Sequence, residues 1–347
     1  MSSKHLSYFK VENFKRFDSL EVNDIGQFNL IVGDNNVGKT TLLEALLFDD
    51  EDYDKFLVGL EYALENREIY IEDYKINYLD FFIKDKPKPL IYTFQLSSGG
   101  EKNNLVLTKK NRSELTEKEA SNIVVQLKLY GSPYLAEFVL NGNADLKMIL
   151  TEKDREEIYY FPFMGSKIFY DEETFDFLTT ISLSNKKLES LKKELKYFVP
   201  NLTSIEVSNS IVSGEPVIII RESDSDNPKV LAEYGDGTIK LFRYLLKIDF
   251  SENKRLMIDE IDAGIHHSRM KEYLKKILQT AKNNNVQIFA TTHSKECLEY
   301  YTQALQELNI QDHGRIIRIA NTKIGIRAYT MGFEEFENAM IADSEIR

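Results

Sequence analysis

Residues 33–40, Gly33-Asp34-Asn35-Asn36-Val37-Gly38-Lys39-Thr40, match the spacing G-x-x-x-x-G-K-[ST] at every fixed position. An apolar run, Leu30-Ile31-Val32, leads into them, and TTLLEALLF at 40–48 leads out with apolar residues at helical spacing. A strand, a glycine loop and a helix in that order make a phosphate cradle. Successive backbone amides surround a β-phosphate, a lysine adds charge to the β and γ oxygens, and a hydroxyl at the helix start ligates a divalent cation. Lys39 and Thr40 are the candidates for the last two roles, and Thr41 continues the helix start. The ligands such a loop takes are ATP and Mg²⁺, and a strand running straight into a helix predicts an α/β fold.

The last third of the chain supports that class. TIKLFRYLLK, RLMID, RMKEYLKKILQTAK, VQIFATT and KECLEYYTQALQEL alternate helical and buried-strand patterns, as in a parallel sheet. The strand at 255–258 runs into two acids. Extended backbone would turn Asp259 and Glu260 to opposite sides, Asp259 toward Mg²⁺ through its water shell and Glu260 toward an attacking water, as general base. VQIFATT ends in Thr292-His293-Ser294, and His293 stands 34 residues after Asp259, room for one helix between neighbouring strands. A histidine there can donate to a γ-phosphate. Cys297, four residues on, reads as packing.

The earlier part of the chain predicts a hairpin over the first 33 residues, its last strand ended by Gly33, a Tyr- and Phe-rich helical stretch at 53–85, and strands LIYTFQL, NLVLTK, NIVVQLKLY and AEFVLNG. Residues 184–198 predict a helix with Leu188, Leu191, Leu195 and Phe198 as its apolar stripe and Lys186, Lys187, Lys192, Lys193 and Lys196 on a solvated face. A hairpin, SIEVSN and PVIIIRE, follows.

Composition excludes several classes. One cysteine leaves no disulfide framework and no CxxC metal site. No apolar run reaches bilayer length and the N-terminal residues lack a signal h-region, so a cytoplasmic protein with no membrane partner is expected. A net charge of −12, from 56 acidic against 44 basic residues, weakens a general nucleic-acid role and leaves only a local basic patch to support one.

Two segments compete for a second glycine motif. Ser97-Ser98-Gly99-Gly100-Glu101 looks like the LSGGE signature of ABC ATPases, yet it joins two predicted strands as good turn chemistry and lies more than 150 residues before Asp259. Tyr234-Gly235-Asp236-Gly237-Thr238 lies 24 residues before Asp259, counted from Gly235, and opens a helix. Gly235, Asp236 and Gly237 are therefore the candidate signature. With the phosphate loop already serving the chain's own nucleotide, this nest is expected to cap a γ-phosphate bound by a second protomer.

These motifs in this order resemble ABC-type ATPase heads of the SMC, Rad50 and OLD kind, and most of all the AAA15/AAA21 group. The residues that carry the resemblance are Glu12-Asn13-Phe14-Lys15-Arg16-Phe17, GDNNVGKTTLLEAL, YGDGTIKLF, LMIDEIDAGIHHS, QIFATTHS and the tail FEEFENAMIADSEIR. It implies a single head over 1–347, a mixed sheet with an antiparallel β-subdomain and a small helical subdomain, without a long coiled coil. Its parts would be a β-rich lobe at 1–48 and 90–165, helical insertions at 49–89 and 166–200, and a C-terminal lobe at 201–347. It implies a nucleotide contact for Lys15, where the group usually has Arg, and an interface role for His266 at the D-loop place, the alternative for His266 and His267 being exposed histidines at a helix start. Neither Gln95 nor Gln126 is assignable as the Q-loop glutamine. The implied function is a Mg-ATP-dependent switch that closes as a homodimer or higher homo-oligomer. The group's stand-alone ATPases occur in phage-defence operons beside a separate Toprim-type nuclease, with a phage protein as a possible trigger. The 54 residues after His293 are expected to be filled by a helix and two strands, leaving no room for a nuclease domain in this chain. An SMC/Rad50-like repair ATPase acting on DNA is the alternative. A transporter ATPase fits less well, given the place of the signature and His266 at the D-loop.

Overall fold

A computed structural model describes residues 5–47, 82–85, 88–97, 102–109, 122–130, 135–141, 162–165, 172–210 and 214–341. Of the helical stretch expected at 53–85, residues 53–81 lie outside the described residues, as does the turn at 98–101, while 82–85 are not helical but a turn and bend in which Ile83 bridges antiparallel to Phe14. The chain divides into two compact units. The first holds Met1–Glu157, Phe289–His293 and Asp312–Arg347, and the second Ile158–Ile288 and Ser294–Gln311.

In the first unit, β1 (Leu6–Phe14), β2 (Phe17–Val22), β4 (Leu90–Leu96), β5 (Asn103–Lys109), β6 (Asn122–Tyr130) and β7 (Leu135–Asn141) form an antiparallel sheet in the order β2-β1-β4-β5-β6-β7. The alternation in LIYTFQL buries Leu90, Tyr92 and Phe94 on one face. Val11 pairs with Tyr92 and Phe9 with Phe94 across the β1–β4 ladder. Tyr92 also packs against the rings of Phe9 and Phe14, at centroid distances of 6.1 and 6.2 Å. Asn13 fastens this sheet to the segment before β4. With a left-handed φ of 62°, its amide donates to the carbonyls of Asp85, Lys88 and Pro89 and accepts from the Asp85 N–H.

The same unit holds β3 (Phe28–Val32), buried at every residue, as a strand covered on both faces must be. It runs parallel to β14 (Gly314–Thr322), which pairs antiparallel with β15 (Gly325–Met331). Helix α1 (Lys39–Ala45) leaves the glycine loop after β3, and α7 (Phe333–Ile341) follows β15. The tail strands therefore belong with the N-terminal residues and not with a continuous 201–347 lobe. An ion pair between Arg315 and Asp24, 2.9 Å across 291 positions, fixes the same association.

The second unit contains helices α2 (Glu172–Ser182), α3 (Asn185–Leu195), α4 (Asp236–Phe250), α5 (His267–Asn283) and α6 (Lys295–Glu307). Its sheet elements are β9 (Leu202–Asn209), β10 (Pro216–Glu222) and β11 (Lys229–Val230), ordered β11-β10-β9, and β8 (Phe163–Met164) parallel to β12 (Arg255–Ile258). Strand β13 (Gln287–Thr291) passes from this unit into the first. Phe177 of α2 stacks on Phe250 of α4 at 3.9 Å, and Tyr273 of α5 meets Tyr244 of α4 and Phe198 after α3. Helix α3 ends at Leu195, three residues short of the expected end, and Ser184 caps its start. Leu191, Leu195 and Phe198 are buried and Leu188 half-buried, so the predicted stripe holds, and Lys186, Lys187, Lys193 and Lys196 are exposed. No helix among the described residues is long and apolar enough to cross a membrane.

Candidate functional site

The phosphate loop of the first unit depends on backbone that few residues adopt. Gly33 has φ 146°, Asn36 φ 63° and Gly38 φ 110°. A Cβ at Gly33 would overlap the carbonyl oxygen of Ile319, so no side chain fits there. At Gly38 a Cβ would stand 2.8 Å from both Arg16 Cδ and a ring carbon of Phe17, so the β1–β2 turn presses on the loop. Lys39 is 6% exposed and its Nζ donates to the carbonyls of Gly33 and Asp34, at 2.7 and 2.9 Å. The ammonium is thus held inside the loop by the loop's own backbone. Thr40 is half-buried at the second residue of α1, and Thr41 is buried. Asp34, Asn35 and Asn36 are exposed, and Val37 is buried.

Lys15, for which the resemblance implies a nucleotide contact, is paired within the chain. Its Nζ lies 2.7 Å from Glu44 Oε2 of α1, and its charge sits 4.5 Å from the centre of the Phe82 ring. The Glu44 side chain is 2% exposed, so the two charges neutralise one another away from water. Arg16, the next residue, is the exposed cation of this turn and has its stem against Gly38. Sequence alone does not single it out, because Lys15 occupies the expected place in the pattern. His293 follows β13, whose end lies beside β3. The Thr292 N–H donates to Ile31 O at 3.2 Å, two residues before Gly33, and His293 is exposed.

The second unit carries the acidic strand end and the candidate signature. Strand β12 stops at Ile258, and the Asp259 N–H still donates to Met164 O of β8 at 2.8 Å. Glu260 then takes a left-handed φ of 52°, which corrects the expectation of extended backbone through both acids. The two carboxylates are set apart by a turn, not by strand alternation. That turn is closed by the Ala263 N–H donating to Glu260 O at 3.0 Å and the Ile265 N–H donating to Asp262 O at 3.1 Å. Both acids are half-buried.

Helix α4 starts at Asp236 with Gly235 as its N-cap, so the helix begins two residues before TIKLF. Gly235 has an ordinary φ of −66°, and a Cβ built there meets nothing within 4 Å. Neither backbone strain nor crowding in the chain's own fold requires glycine at this exposed position. The start of α4 packs on the acidic turn. A Cβ on Gly237 would stand 3.3 Å from Ile265 Cδ1, one on Gly264 3.5 Å from Asp236 Cβ, and Lys240 Nζ donates to Ala263 O at 2.7 Å. Sequence reading placed signature and acids on separate elements and did not single out Lys240. Its only signal is a lysine four residues after Asp236, on the same helix face, inside an apolar run.

His266 is the N-cap of α5. Its Nδ1 accepts from the Ser268 N–H at 3.3 Å, lies 2.8 Å from Ser268 Oγ, and its ring meets that of His267 at 4.2 Å. Cys297 is fully buried, as packing requires.

Residues 28–299 match the AAA_21 family, described as "AAA domain, putative AbiEii toxin, Type IV TA system". The chain is 24% identical over 348 residues to an ATP/GTP phosphatase of Helicobacter pylori, covering 86% of this chain and 88% of that protein. It is 31% identical over 83 residues to an uncharacterized protein of Methanocaldococcus jannaschii, 24% of this chain and 71% of the other. Among solved structures it is similar to an SMC head bound to the C-winged helix domain of ScpA, with TM-score 0.50, 12% identity and coverage of 96% and 99% of the two chains. The SMC head domain from Thermotoga maritima gives TM-score 0.48 and 14% identity over 94% of this chain and 99% of that one. With its phosphate loop and with the family matched over most of its length, the chain belongs to the AAA_21 family and is an ATPase with an ABC-type, SMC-head-like α/β fold.

Proposed function

We propose that this ATPase is a nucleotide-gated molecular switch that closes as a homodimer, or a higher homo-oligomer, around two ATP molecules. The observation that carries the reading is Gly235. The fold leaves it open and unstrained, so the absence of a side chain serves a close approach from outside the chain. A γ-phosphate held by a second protomer is the ligand suited to glycine-rich backbone at the start of the fifteen-residue helix α4.

In this reading Gly33 to Thr41 hold the triphosphate. Lys39, now bonded to two loop carbonyls, exchanges them for β and γ oxygens, which as anions are the stronger acceptors. Thr40 would supply a hydroxyl to Mg²⁺, and Asp259 a carboxylate through the ion's water shell, oxygen donors of the kind that ion takes. Bound Mg²⁺ would neutralise charge developing on the phosphates. Glu260 takes the proton of the attacking water, and His293 donates to the γ-phosphate. The name of the Helicobacter relative, a phosphatase of ATP and GTP, supports triphosphate hydrolysis as the reaction. Its mention of GTP leaves the base to be tested.

The biological setting we propose is anti-phage defence beside a separate Toprim-type nuclease, with the ATPase subunit of the PARIS system as the counterpart. The family description, which names an AbiEii toxin and a Type IV TA system, supports a chain that works with a second gene product. The net charge of −12 disfavours the alternative of a DNA-repair head. The test is light scattering of Glu260→Gln with and without Mg-ATP. Doubling of mass only with Mg-ATP is expected, and a mass unchanged by ATP while ATP binds overturns the switch. Purification of the native complex then reads whether a nuclease accompanies it.

A further inference from the structure

The first two turns of α4 lie close to the turn that follows Asp259: a Cβ on Gly264 would stand 3.5 Å from Asp236 Cβ, one on Gly237 would stand 3.3 Å from Ile265 Cδ1, and Lys240 bonds Ala263. The last is polar and directional. Lys240 is 5% exposed, and its ammonium donates to Ala263 O at 2.7 Å. The N–H of the same Ala263 donates to Glu260 O at 3.0 Å, closing the turn that keeps Glu260 at a φ of 52°. A short chain of hydrogen bonds therefore runs from the signature helix to the backbone of Glu260.

Electrostatics agree with this geometry. Burial pushes the Lys240 pKa down, while Glu260, Asp236 and Asp262 draw it back up. Burying an ammonium carries a desolvation cost that an apolar side chain of equal volume would avoid. Filling space therefore does not account for lysine at this position, whereas fixing the Ala263 carbonyl does.

We propose that Lys240 is a positioning residue for ATP hydrolysis, locking the Glu260 turn to the signature helix so that displacement of that helix reaches the general base. The inference rests on the reading of Glu260 as base and of Gly235 to Gly237 as signature. Its consequence is that one protomer's engagement of its partner's nucleotide adjusts hydrolysis at its own site. Coupling of this kind needs no contact between Lys240 and nucleotide.

The test uses Lys240→Met, Lys240→Arg and Glu260→Gln in the full chain. Methionine fills the volume and removes a desolvated charge, so melting temperature is expected to hold or rise. The Kd for Mg-ATP is expected within about two-fold of wild type, while kcat falls about 10- to 100-fold, the scale of a misplaced catalytic group. Partial recovery of kcat in Lys240→Arg, which restores a donor to the Ala263 carbonyl, supports positioning. A wild-type kcat in Lys240→Met overturns the inference, as does a fall in kcat matched by an equal loss of ATP affinity. If Glu260→Gln hydrolyses ATP normally, the underlying reading of the base fails as well. If Glu260→Gln is inactive while Lys240→Met turns over as wild type, only the inference about Lys240 fails.

Discussion

Lys15 and Glu44 form a 2.7 Å ion pair that ties the β1–β2 turn to α1, the helix leaving the phosphate loop, with the carboxylate 2% exposed. Removing the lysine leaves that buried charge alone, and breaking such a pair costs about 3 kcal/mol or more. Lys15→Met is therefore expected to lower the melting temperature clearly, with the Lys15→Met/Glu44→Leu double variant recovering much of the loss. Arg16→Ala, at an exposed position, is expected to leave stability unchanged. If Arg16, whose stem stands against Gly38, is the cation that meets nucleotide at this turn, the variant should weaken ATP binding by about ten-fold, the worth of one charged hydrogen bond. Thermal melts and nucleotide titrations of the three proteins separate these roles. A stable Lys15→Met with weakened ATP binding would return the nucleotide contact to Lys15.

Lys39 shows why the loop cannot tolerate loss of its cation. Its ammonium already bonds two carbonyls within the loop, so Lys39→Ala removes both a closure of the loop and the positive charge for the phosphates. Two charge-assisted bonds together correspond to a loss in ATP affinity of at least about 100-fold. Isothermal titration with Mg-ATP measures it directly, and wild-type affinity in this variant rejects the loop as the triphosphate site.

Glu260→Gln keeps the shape of the side chain and removes its basicity. Loss of a general base lowers turnover by about 10²–10⁴-fold. ATP binding should be retained. Near-normal steady-state turnover would move the base elsewhere, and His293 would be the first residue to substitute next.

Much of this was legible in the sequence because it is local. The phosphate loop is read from eight consecutive residues and the buried β3 from an unbroken apolar run. The Leu191, Leu195 and Phe198 stripe is read from helical spacing. What was not legible depends on partners far away or on backbone angles that residue type does not encode. Glutamate carries no preference for the left-handed region, so the turn at Glu260 was invisible and strand alternation was assumed to continue. The pairing of β14 with β3 joins residues more than 280 positions apart, which no local pattern reports. Lys15 matched a pattern position, but its charge is claimed by Glu44, 29 positions on.

Glu307 gives the chain a defined acid response. Hydrogen bonds from Lys271 and then Lys275 of α5 hold its carboxyl down to about 2, against an ordinary value of 4.5. A carboxyl lowered in the folded state adds stability above its unfolded pKa and loses that contribution as pH falls through the window from 4.5 to about 2. Exposed pairs contribute modestly. The stability gap between wild type and Glu307→Gln is thus expected to be small at pH 7, to have narrowed by pH 3 and to close only as pH nears 2. Denaturant titrations at pH 7 and pH 3 measure it, and a gap independent of pH would show that the α5–α6 link is not ionic.

If a second protomer completes each site, as proposed, a sharp genetic consequence follows. Gly235→Val places a side chain where the fold has open space, so folding and initial ATP capture should be preserved while closure on the partner's γ-phosphate is blocked. Gly237 is a poorer choice, since its Cβ would also press on Ile265 at 3.3 Å and so disturb the acidic turn. Lys39→Ala and Gly235→Val should each be inactive alone. In a heterodimer of the two, one site combines both lesions and the other combines the intact phosphate loop with the intact signature. Equal amounts pairing at random make half of the dimers mixed, each with one competent site of two, so about a quarter of the wild-type rate should return. An inactive mixture whose heterodimers are demonstrated by differential tagging would mean that the two sites must fire together or that the site is not shared. Normal hydrolysis by Gly235→Val alone would remove the signature assignment and return attention to the glycines between β4 and β5.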